Sequence, residues 1–184
     1  IASLDAPVKL REIFPDRKTV VDFGAGMGHH TQDLAVQGYG VLAIDVHTPG
    51  ICRIAEFVSN DKLDNVRVHL GDGIPILETI LEPGCVDELH VMFPDPWPKK
   101  KHNKRRIVNE GFLSLIHPKL KKGGYIHIAT DWVPYAISMQ EVFAVSALFT
   151  GGVIEKPVSR PVTRFEGQGI DKDHQVTDLM YFRK

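Results

Sequence analysis

The sequence predicts an α/β fold in which a mostly parallel sheet is covered by helices on both faces. The first observation is a rhythm in which short runs rich in valine and isoleucine alternate with helix-length segments. The second is a glycine-rich turn directly after the first of these runs. A length of 184 residues, with 43% hydrophobic residues, suits one domain over residues 1–184 with a single sizeable core.

Five apolar runs, each bounded by Gly, Asp or Pro, are the predicted parallel strands. They are Thr19–Phe23, Gly40–Asp45, Val66–Leu70, Val86–Met92 and 124–130. Helices are predicted near residues 28–37, 49–60, 74–81, 103–117 and 133–145. Right-handed crossovers between successive parallel strands would place these helices on the two faces of the sheet.

The two ends of the chain depart from this rhythm. Gly151 and Gly152 interrupt the pattern after Phe149, and two strand-like runs follow over residues 153–158 and 176–182. Two successive strands without an intervening helix predict an antiparallel hairpin at the edge of the sheet. The first fifteen residues are predicted to form a helix or loop that packs on the core.

Composition narrows the classes of function. No run of eighteen apolar residues is present, so we predict no membrane span, and no signal peptide is visible. The chain begins at Ile1, so residues upstream can be missing. Neither the two cysteines, Cys52 and Cys85, nor the nine histidines have metal-ligand spacing. We therefore expect no metal and a reducing, cytoplasmic setting.

The charge is unevenly distributed along the chain. The formal net charge is −1, but residues 1–92 carry a balance of −7 and residues 93–184 a balance of +6. The sign changes at the segment FPDPWPKKKHNKRR, which begins at Phe93 and contains six basic residues within eight positions. A basic half can bind a polyanion such as a nucleic acid. The alternative is an uneven surface charge with no partner.

The first predicted strand runs into the glycine-rich sequence DFGAGMGHH. It holds Asp22 and a GxGxG spacing formed by Gly24, Gly26 and Gly28. Such a loop lets a ligand approach the backbone at the carboxyl edge of the sheet. A dinucleotide fingerprint would place its third glycine at His29, and no GKS or GKT follows for a P-loop. A tight turn that uses glycines only for packing is the alternative.

Carboxylates end, or nearly end, three successive strands. Asp45 lies 21 residues after Gly24, near the ~20 expected for an acidic residue that binds a ribose diol. Asp72 stands between two glycines, where it can face an adenine amino group. Together with Asp22 these carboxylates would repel a pyrophosphate and favour a cationic ligand. S-adenosylmethionine fits, because it carries a sulfonium, an ammonium, a ribose diol and no phosphate.

Six segments together resemble the bacterial tRNA (guanine-N7)-methyltransferases. They are DFGAGMG, AIDVH, GDG, FPDPWPKKKHNKRRIV, ATDW and RPVTRFE, and the resemblance spans residues 19–184. The glycine loop is shared by all class I methyltransferases, whereas the fourth and sixth segments are much more specific. The resemblance implies a Rossmann-like three-layer sandwich around a seven-stranded sheet. It also implies S-adenosylmethionine as donor and a guanine in the variable loop of tRNA as acceptor.

Asp95 is the predicted catalytic residue, a role that the resemblance implies. Flanking prolines hold its carboxylate in a stiff bend beside the proposed cofactor, which we expect it also to contact. Guanine N7 carries no proton, so its methylation needs no general base. We expect Asp95 to orient the guanine through N1–H and the amino group and to stabilise the growing positive charge. Trp97 offers a flat face for stacking a base.

Substrate-binding residues are predicted in three places. The resemblance assigns substrate contact most directly to Lys99, and the basic run adds Arg105. Asp131 is a substrate residue by resemblance, although it could equally be the N-cap of the following helix. The last cluster comprises Thr163, Arg164, Phe165 and Glu166. Arg164 stands where the family commonly has lysine, and residues 167–169 replace a common arginine–glycine pair.

Three rival functions stay open at this point. The nearest is a methyltransferase that acts on an exocyclic amine of a base, although such enzymes commonly have two adjacent prolines in this motif. The others are a non-catalytic RNA-binding module and a nicotinamide oxidoreductase, which His29 disfavours. The sequence leaves open the choice between monomer and homodimer, the preferred tRNAs, and the contacts of residues 167–175.

Overall fold

Seven strands form one sheet in the computed structural model, which describes residues 9–157 and 176–184. They are β1 (Thr19–Phe23), β2 (Gly40–Asp45), β3 (Val66–Leu70), β4 (Val86–Met92), β5 (Leu120–Thr130), β6 (Phe149–Ile154) and β7 (Thr177–Arg183). The order across the sheet is β3-β2-β1-β4-β5-β7-β6. The first five strands pair in parallel, and β7 is antiparallel to both β5 and β6. The predicted sheet, with its antiparallel C-terminal pair, is confirmed.

Helices cover both faces of this sheet. They are α1 (Leu10–Ile13), α2 (His29–Val36), α3 (Thr48–Asn60), α4 (Gly73–Pro75, continued by a π-helical turn over Ile76–Ile80), α5 (Glu110–Ile116) and α6 (Val133–Ala144). Val20 and Val21 are neighbours on β1, so they point to opposite faces. Val20 belongs to an apolar cluster with α2 and α3, and Val21 to one with α1, α4, α5 and α6. The result is the predicted three-layer sandwich.

The last antiparallel strand pair begins earlier than predicted. β6 starts at Phe149 and ends at Ile154, so the prediction of a strand over 153–158 was wrong in its bounds. Gly151 and Gly152 lie inside this strand instead of interrupting it. A Cβ on Gly151 would lie 2.1 Å from the carbonyl oxygen of Met180. Gly151 therefore allows β6 to approach β7 closely.

The predicted continuous helix over 103–117 was also wrong. A 3₁₀ helix spans Lys100–Arg105, Arg106 is extended (φ −61°, ψ 129°), and α5 begins only at Glu110. Asn109 starts α5 by accepting a 3.0 Å hydrogen bond from Phe112 N through its side chain. Four of the six basic residues, Lys100, Lys101, Lys104 and Arg105, thus lie on a separate short helix that follows the loop after β4.

β5 is longer than the predicted run over 124–130. Its pairing with β4 is irregular, because Val86 pairs with Leu120 whereas Glu88 pairs with Tyr125. Before β1, Leu10 and Phe14 are buried in the core, as expected for the described part of the first fifteen residues. Within residues 9–157 and 176–184, no helix combines the length and apolar character needed to cross a bilayer.

Candidate active site

A cavity of about 650 Å³ lies at the carboxyl ends of β1, β2 and β4. Ligands of open α/β sheets bind at this edge, and small-molecule sites commonly measure about 300–1,000 Å³. The lining comprises Asp22, Phe23, Gly24, Ala25, Gly26, Met27, His29, His30, Asp45, His47, Met92, Phe93, Pro94 and Asp95. Three of the predicted carboxylates, those of Asp22, Asp45 and Asp95, therefore share one cavity.

Asp22 offers a buried carboxylate to this cavity. Its Oδ2 accepts a 2.6 Å hydrogen bond from Thr31 Oγ1. Its Oδ1 is buried and has no hydrogen-bond partner among the described residues. Burial raises the pKa of this carboxyl group, while His30 and the bond from Thr31 act in the opposite direction. A buried acceptor of this kind suits a ligand that brings a hydrogen-bond donor or a positive charge.

Asp45 fixes the backbone around the cavity. Its Oδ2 accepts a 2.6 Å hydrogen bond from Gly26 N, and its Oδ1 accepts a 2.7 Å bond from His47 N. The carboxylate thus ties the glycine loop to the start of α3. Each carboxylate oxygen can accept a further hydrogen bond, so the predicted contact with a ribose remains compatible with this geometry and stays a prediction.

The three glycines of the loop have different surroundings. Gly24 and Gly26 line the cavity with positive φ angles of 82° and 55°. Gly28 is the N-cap of α2 and lies outside the lining. A Cβ on Gly28 would lie 2.2 Å from Ile54 Cγ1, so the structure gives this glycine a packing role against α3. Its predicted cofactor role stays a prediction.

Gly50 is a residue of the site that sequence reasoning missed. It lies in the first turn of α3, and a Cβ there would lie 1.8 Å from the carbonyl oxygen of Gly26. The absence of a side chain lets α3 approach the glycine loop. In the sequence, Pro49 is typical of a helix start and Gly50 follows it without a distinctive spacing, so nothing local pointed to this contact.

Asp72 lies at the same edge of the sheet but outside the described lining of the cavity. It is exposed, and its Oδ1 accepts a 2.9 Å hydrogen bond from Ile74 N at the start of α4. The structure therefore gives Asp72 an N-cap role. The contact with adenine stays a prediction.

The loop that carries Asp95 has an unusual backbone. Phe93 and Trp97 bracket the aspartate, and both have positive φ angles, 53° and 42°. Bulky residues rarely adopt this conformation, and it persists only where the surroundings hold it. One such restraint is a 2.8 Å hydrogen bond from Phe93 N to Ala129 O on β5. Asp95 is exposed at the mouth of the cavity.

Trp97 and the basic residues follow directly after this loop. The guanidinium carbon of Arg105 lies 4.8 Å from the centroid of the Trp97 ring, and His102 contacts the ring edge-on at 5.9 Å. Arg105 therefore covers one face of the ring that we predicted to stack on a base. Lys99 is exposed and precedes the 3₁₀ helix.

Of the remaining predicted substrate residues, Asp131 is described by the structure, and the cluster over residues 163–166 is not. Asp131 is half-buried and follows β5, but the N-cap of α6 is Trp132, so the N-cap alternative for Asp131 was wrong. Its substrate role stays a prediction. Thr163, Arg164, Phe165 and Glu166 lie outside the described residues.

Three histidines of the lining, His29, His30 and His47, were also missed as site residues. His29 was noted only for standing where a third glycine belongs, and it lines the cavity. His47 caps α3 by accepting a 3.2 Å hydrogen bond from Gly50 N at Nδ1. The available signal for His47 was its place two residues after Asp45, at the carboxyl end of β2.

Comparison with known proteins shows the family. The family model described as "Putative methyltransferase" matches residues 16–179. A protein of Streptomyces avermitilis is 44% identical over 95% of this chain and 63% of its own length. A protein of Neisseria meningitidis serogroup C is 39% identical over 96% of this chain and 77% of its own length. Both are named tRNA (guanine-N(7)-)-methyltransferase.

The chain belongs to the tRNA (guanine-N7)-methyltransferase family. It spans 63% of the length of the Streptomyces avermitilis relative. Among solved structures, the 16S rRNA methyltransferase KamB aligns with a TM-score of 0.67 at 18% identity, over 95% of this chain and 91% of that chain. A protein from Streptococcus mutans described as "a putative methyltransferase", in complex with SAH, aligns with a TM-score of 0.61 at 14% identity, over 95% of this chain and 93% of that chain. These neighbours confirm the class I methyltransferase fold.

A buried polar cluster lies beside the cavity in this family member. His90 Nε2 lies 3.2 Å from Glu88 Oε2, and His90 Nδ1 lies 2.8 Å from His30 Nε2. Burial lowers the pKa of His90 to about 4; His30 and His127 act in the same direction, and Glu88 opposes them. A neutral His90 donates from Nε2 to Glu88 and accepts at Nδ1 from His30. The side chain of Tyr125 also hydrogen-bonds to Glu88.

This cluster predicts a loss of stability in acid. Unfolded His90, with an ordinary pKa near 6.5, binds a proton at a pH where the folded imidazole stays neutral. Acidification from about pH 7.5 to about pH 5 should therefore lower the unfolding free energy by about 2 kcal/mol through this one group. His90→Gln should remove that contribution. Urea unfolding at several pH values measures the slope for both proteins.

The matched control for this comparison is His69→Gln, which removes a half-buried histidine of β3 outside the cluster. Its stability should follow the wild-type pH slope. An equal slope for His90→Gln and the wild-type protein would contradict the assignment to His90.

Within residues 9–157 and 176–184, no group of three or more His, Cys, Asp or Glu side chains is placed to hold an ion.

Proposed function

We propose that this chain transfers a methyl group from S-adenosylmethionine to N7 of a guanine in the variable loop of tRNA, giving 7-methylguanosine. The observation that carries the proposal is the shared cavity of Asp22, Asp45 and Asp95, with a basic helix directly after Asp95. The names of the relatives support the same substrate. We take residues 1–184 as one methyltransferase domain.

The cavity favours a cationic donor. Three carboxylates line it, and its described lining contains no lysine or arginine. A phosphate-bearing cofactor would be repelled there, whereas a sulfonium and an ammonium would be attracted. When bound, S-adenosylmethionine supplies an electrophilic methyl group. We assign the buried Oδ1 of Asp22 to its cationic part, Asp45 to its ribose and Asp72 to its adenine, with Gly24, Gly26 and Gly28 shaping the loop.

The acceptor chemistry explains why one exposed carboxylate suffices. Guanine N7 bears a lone pair, so the protein needs to position the base and stabilise the charge that grows on the ring. A carboxylate at Asp95 accepts hydrogen bonds from N1–H and the amino group, whose acidity rises as N7 is alkylated. Asp95 therefore stabilises the transition state more than the bound base.

The tRNA phosphates would be bound by the basic residues over 99–105, which follow the Asp95 loop. We assign Lys99 and Arg105 to tRNA phosphates, and Asp131 and residues 163–166 to substrate contacts. A tRNA substrate also supports the cytoplasm as the compartment. Monomer and homodimer both remain compatible with this proposal.

Replacing Lys99 by alanine should weaken tRNA binding and flatten its salt dependence. Each lost phosphate contact lowers the slope of log K against log salt by roughly 0.7–0.9. Binding titrations at several salt concentrations measure this slope, and Arg105→Ala should give a similar change. Lys122→Ala is the matched control, because Lys122 is exposed near the opposite end of β5. Unchanged affinity for Lys99→Ala at every salt concentration would favour a solvated surface without RNA.

The activity itself is tested with unmodified tRNA and methyl-labelled S-adenosylmethionine. Borohydride reduction followed by aniline cleavage reports 7-methylguanosine, and we expect cleavage in the variable loop. Label on an exocyclic amine would replace the proposed acceptor atom. Binding of tRNA without any transfer of label would favour the non-catalytic RNA-binding module.

A further inference from the structure

Arg106 is a buried arginine directly beside the loop that carries Asp95. Only 8% of its surface is exposed. Its Nε donates a 2.9 Å hydrogen bond to the carbonyl oxygen of Pro96, the residue after Asp95. Arginine is seldom buried unless its charged group has partners. The hydrogen bond to Pro96 is one such partner, so it indicates a structural role for Arg106.

A second contact of the Arg106 side chain is with Tyr135 of α6. Its guanidinium carbon lies 4.7 Å from the centroid of the Tyr135 ring, which is a cation–π distance. Tyr135 is fully buried, and its hydroxyl accepts a 3.2 Å hydrogen bond from Val108 N. Arg106 therefore connects the Asp95 loop to a fully buried aromatic ring in the core.

The loop needs such an anchor because of its backbone. The positive φ angles of Phe93 and Trp97 lie on either side of the segment that Arg106 holds. Residues in this conformation relax when the surrounding contacts are removed. The bond to the Pro96 carbonyl fixes the Pro96–Trp97 peptide directly after Asp95, so its loss would let the carboxylate change position.

Asp95 and Arg106 also act on the same phenol. Burial raises the pKa of Tyr135; the charge of Arg106 opposes this shift, and the charge of Asp95 adds to it. The Asp95 carboxylate and the Arg106 guanidinium are thus both close enough to Tyr135 to influence its pKa.

We propose that Arg106 is a positioning residue, which holds the Pro96 carbonyl so that the Asp95 carboxylate meets the guanine at the right place. The inference rests on the proposed function of Asp95. Arg106 touches neither the cavity nor, in this scheme, the substrate; it acts through the loop. Its neighbour Arg105 is exposed and faces Trp97, so the two adjacent arginines have different tasks.

The test is Arg106→Met, which keeps an unbranched apolar stem and removes the donor and the charge. We expect turnover on tRNA to fall about 10- to 100-fold, since a displacement of about 1 Å can reduce a rate by 10²-fold. The dissociation constant for S-adenosylhomocysteine should change less than about twofold. Arg106→Lys should recover part of the rate, because an ammonium can donate one hydrogen bond.

Arg67→Met is the matched control. Arg67 also donates to backbone carbonyls, those of Asp64 and Val66, and lies over an aromatic ring, that of Phe14. It is on β3, away from the loop. Turnover per folded molecule should match wild type in Arg67→Met, and an equal loss in both arginine variants would overturn the inference.

A double-mutant cycle separates positioning from general damage. If Arg106 acts through Asp95, then adding Arg106→Met to Asp95→Asn should lower turnover by less than about threefold more. Rate losses that multiply in the double variant would overturn the inference, because they would place the two residues in independent roles.

A measurement without tRNA keeps the inference separate from the proposed function. Hydrogen exchange of residues 94–105 should accelerate at least about tenfold in Arg106→Met, with the glycine loop over 24–28 unchanged. An inactive wild-type protein would refute the proposed function, and the exchange result would still decide whether Arg106 holds the loop. Unchanged exchange in residues 94–105 would refute the inference even if wild type methylates tRNA.

Discussion

Asp95→Asn is expected to lower turnover on tRNA by about 10²–10³-fold, the usual effect of removing one preorganised group that stabilises transition-state charge. The amide has nearly the same size, so the loop is preserved. It lacks the negative charge, and its NH₂ group would oppose the N1–H and amino donors of guanine if turned toward them. Single-turnover methylation at saturating tRNA measures this effect.

The control for this prediction is Asp61→Asn, a change of the exposed C-cap residue of α3. It should leave turnover at the wild-type rate. Calorimetry with S-adenosylhomocysteine should show that Asp95→Asn still binds the cofactor product within about threefold. Near wild-type turnover with intact cofactor binding would remove Asp95 from the catalytic role.

The first four strands could be predicted from the sequence because each is a short run that contains valine or isoleucine and is bounded by Gly, Asp or Pro, although β3 is only partly buried. β1 to β4 have the predicted bounds, each ended by a change to Gly, Asp or Pro. The prediction of one helix over 103–117 was wrong for a physical reason. The apolar spacing is continuous enough to suggest one helix, whereas the backbone is extended at Arg106 and the Asn109 cap starts a new helix.

The convergence of Asp22, Asp45 and Asp95 was predictable for a related reason, since parallel strands place their carboxyl ends at one edge. Contacts between residues distant in sequence were not predictable. Gly50 meets the loop of Gly26 across 24 positions, and no local pattern marks that contact. The same holds for the tie between His30 and His90, which joins α2 to β4.

Gly50→Ala is expected to lower the unfolding free energy by about 3 kcal/mol, at the upper end of the usual range for overpacking. Helix propensity alone predicts the opposite sign, because alanine stabilises a helix interior by about 1 kcal/mol relative to glycine. The clash decides, since the added Cβ would lie 1.8 Å from a backbone oxygen that cannot rotate away. Urea unfolding monitored by circular dichroism measures the change.

The same substitution should weaken binding of the cofactor product at least about tenfold, or 1.4 kcal/mol, because the displaced Gly26 lines the cavity. Gly152→Ala is the matched control, because a Cβ there has no neighbour within 4 Å. Its unfolding free energy and its affinity for S-adenosylhomocysteine should therefore equal those of the wild-type protein. If Gly50→Ala instead stabilises the protein, the gain in helix propensity exceeds the cost of the clash with Gly26, and α3 does not pack tightly against the glycine loop. If it destabilises the protein without weakening binding, the packing of α3 against Gly26 does not control the shape of the cavity. Loss of both properties together would establish that α3 sets the shape of the donor cavity through this one contact.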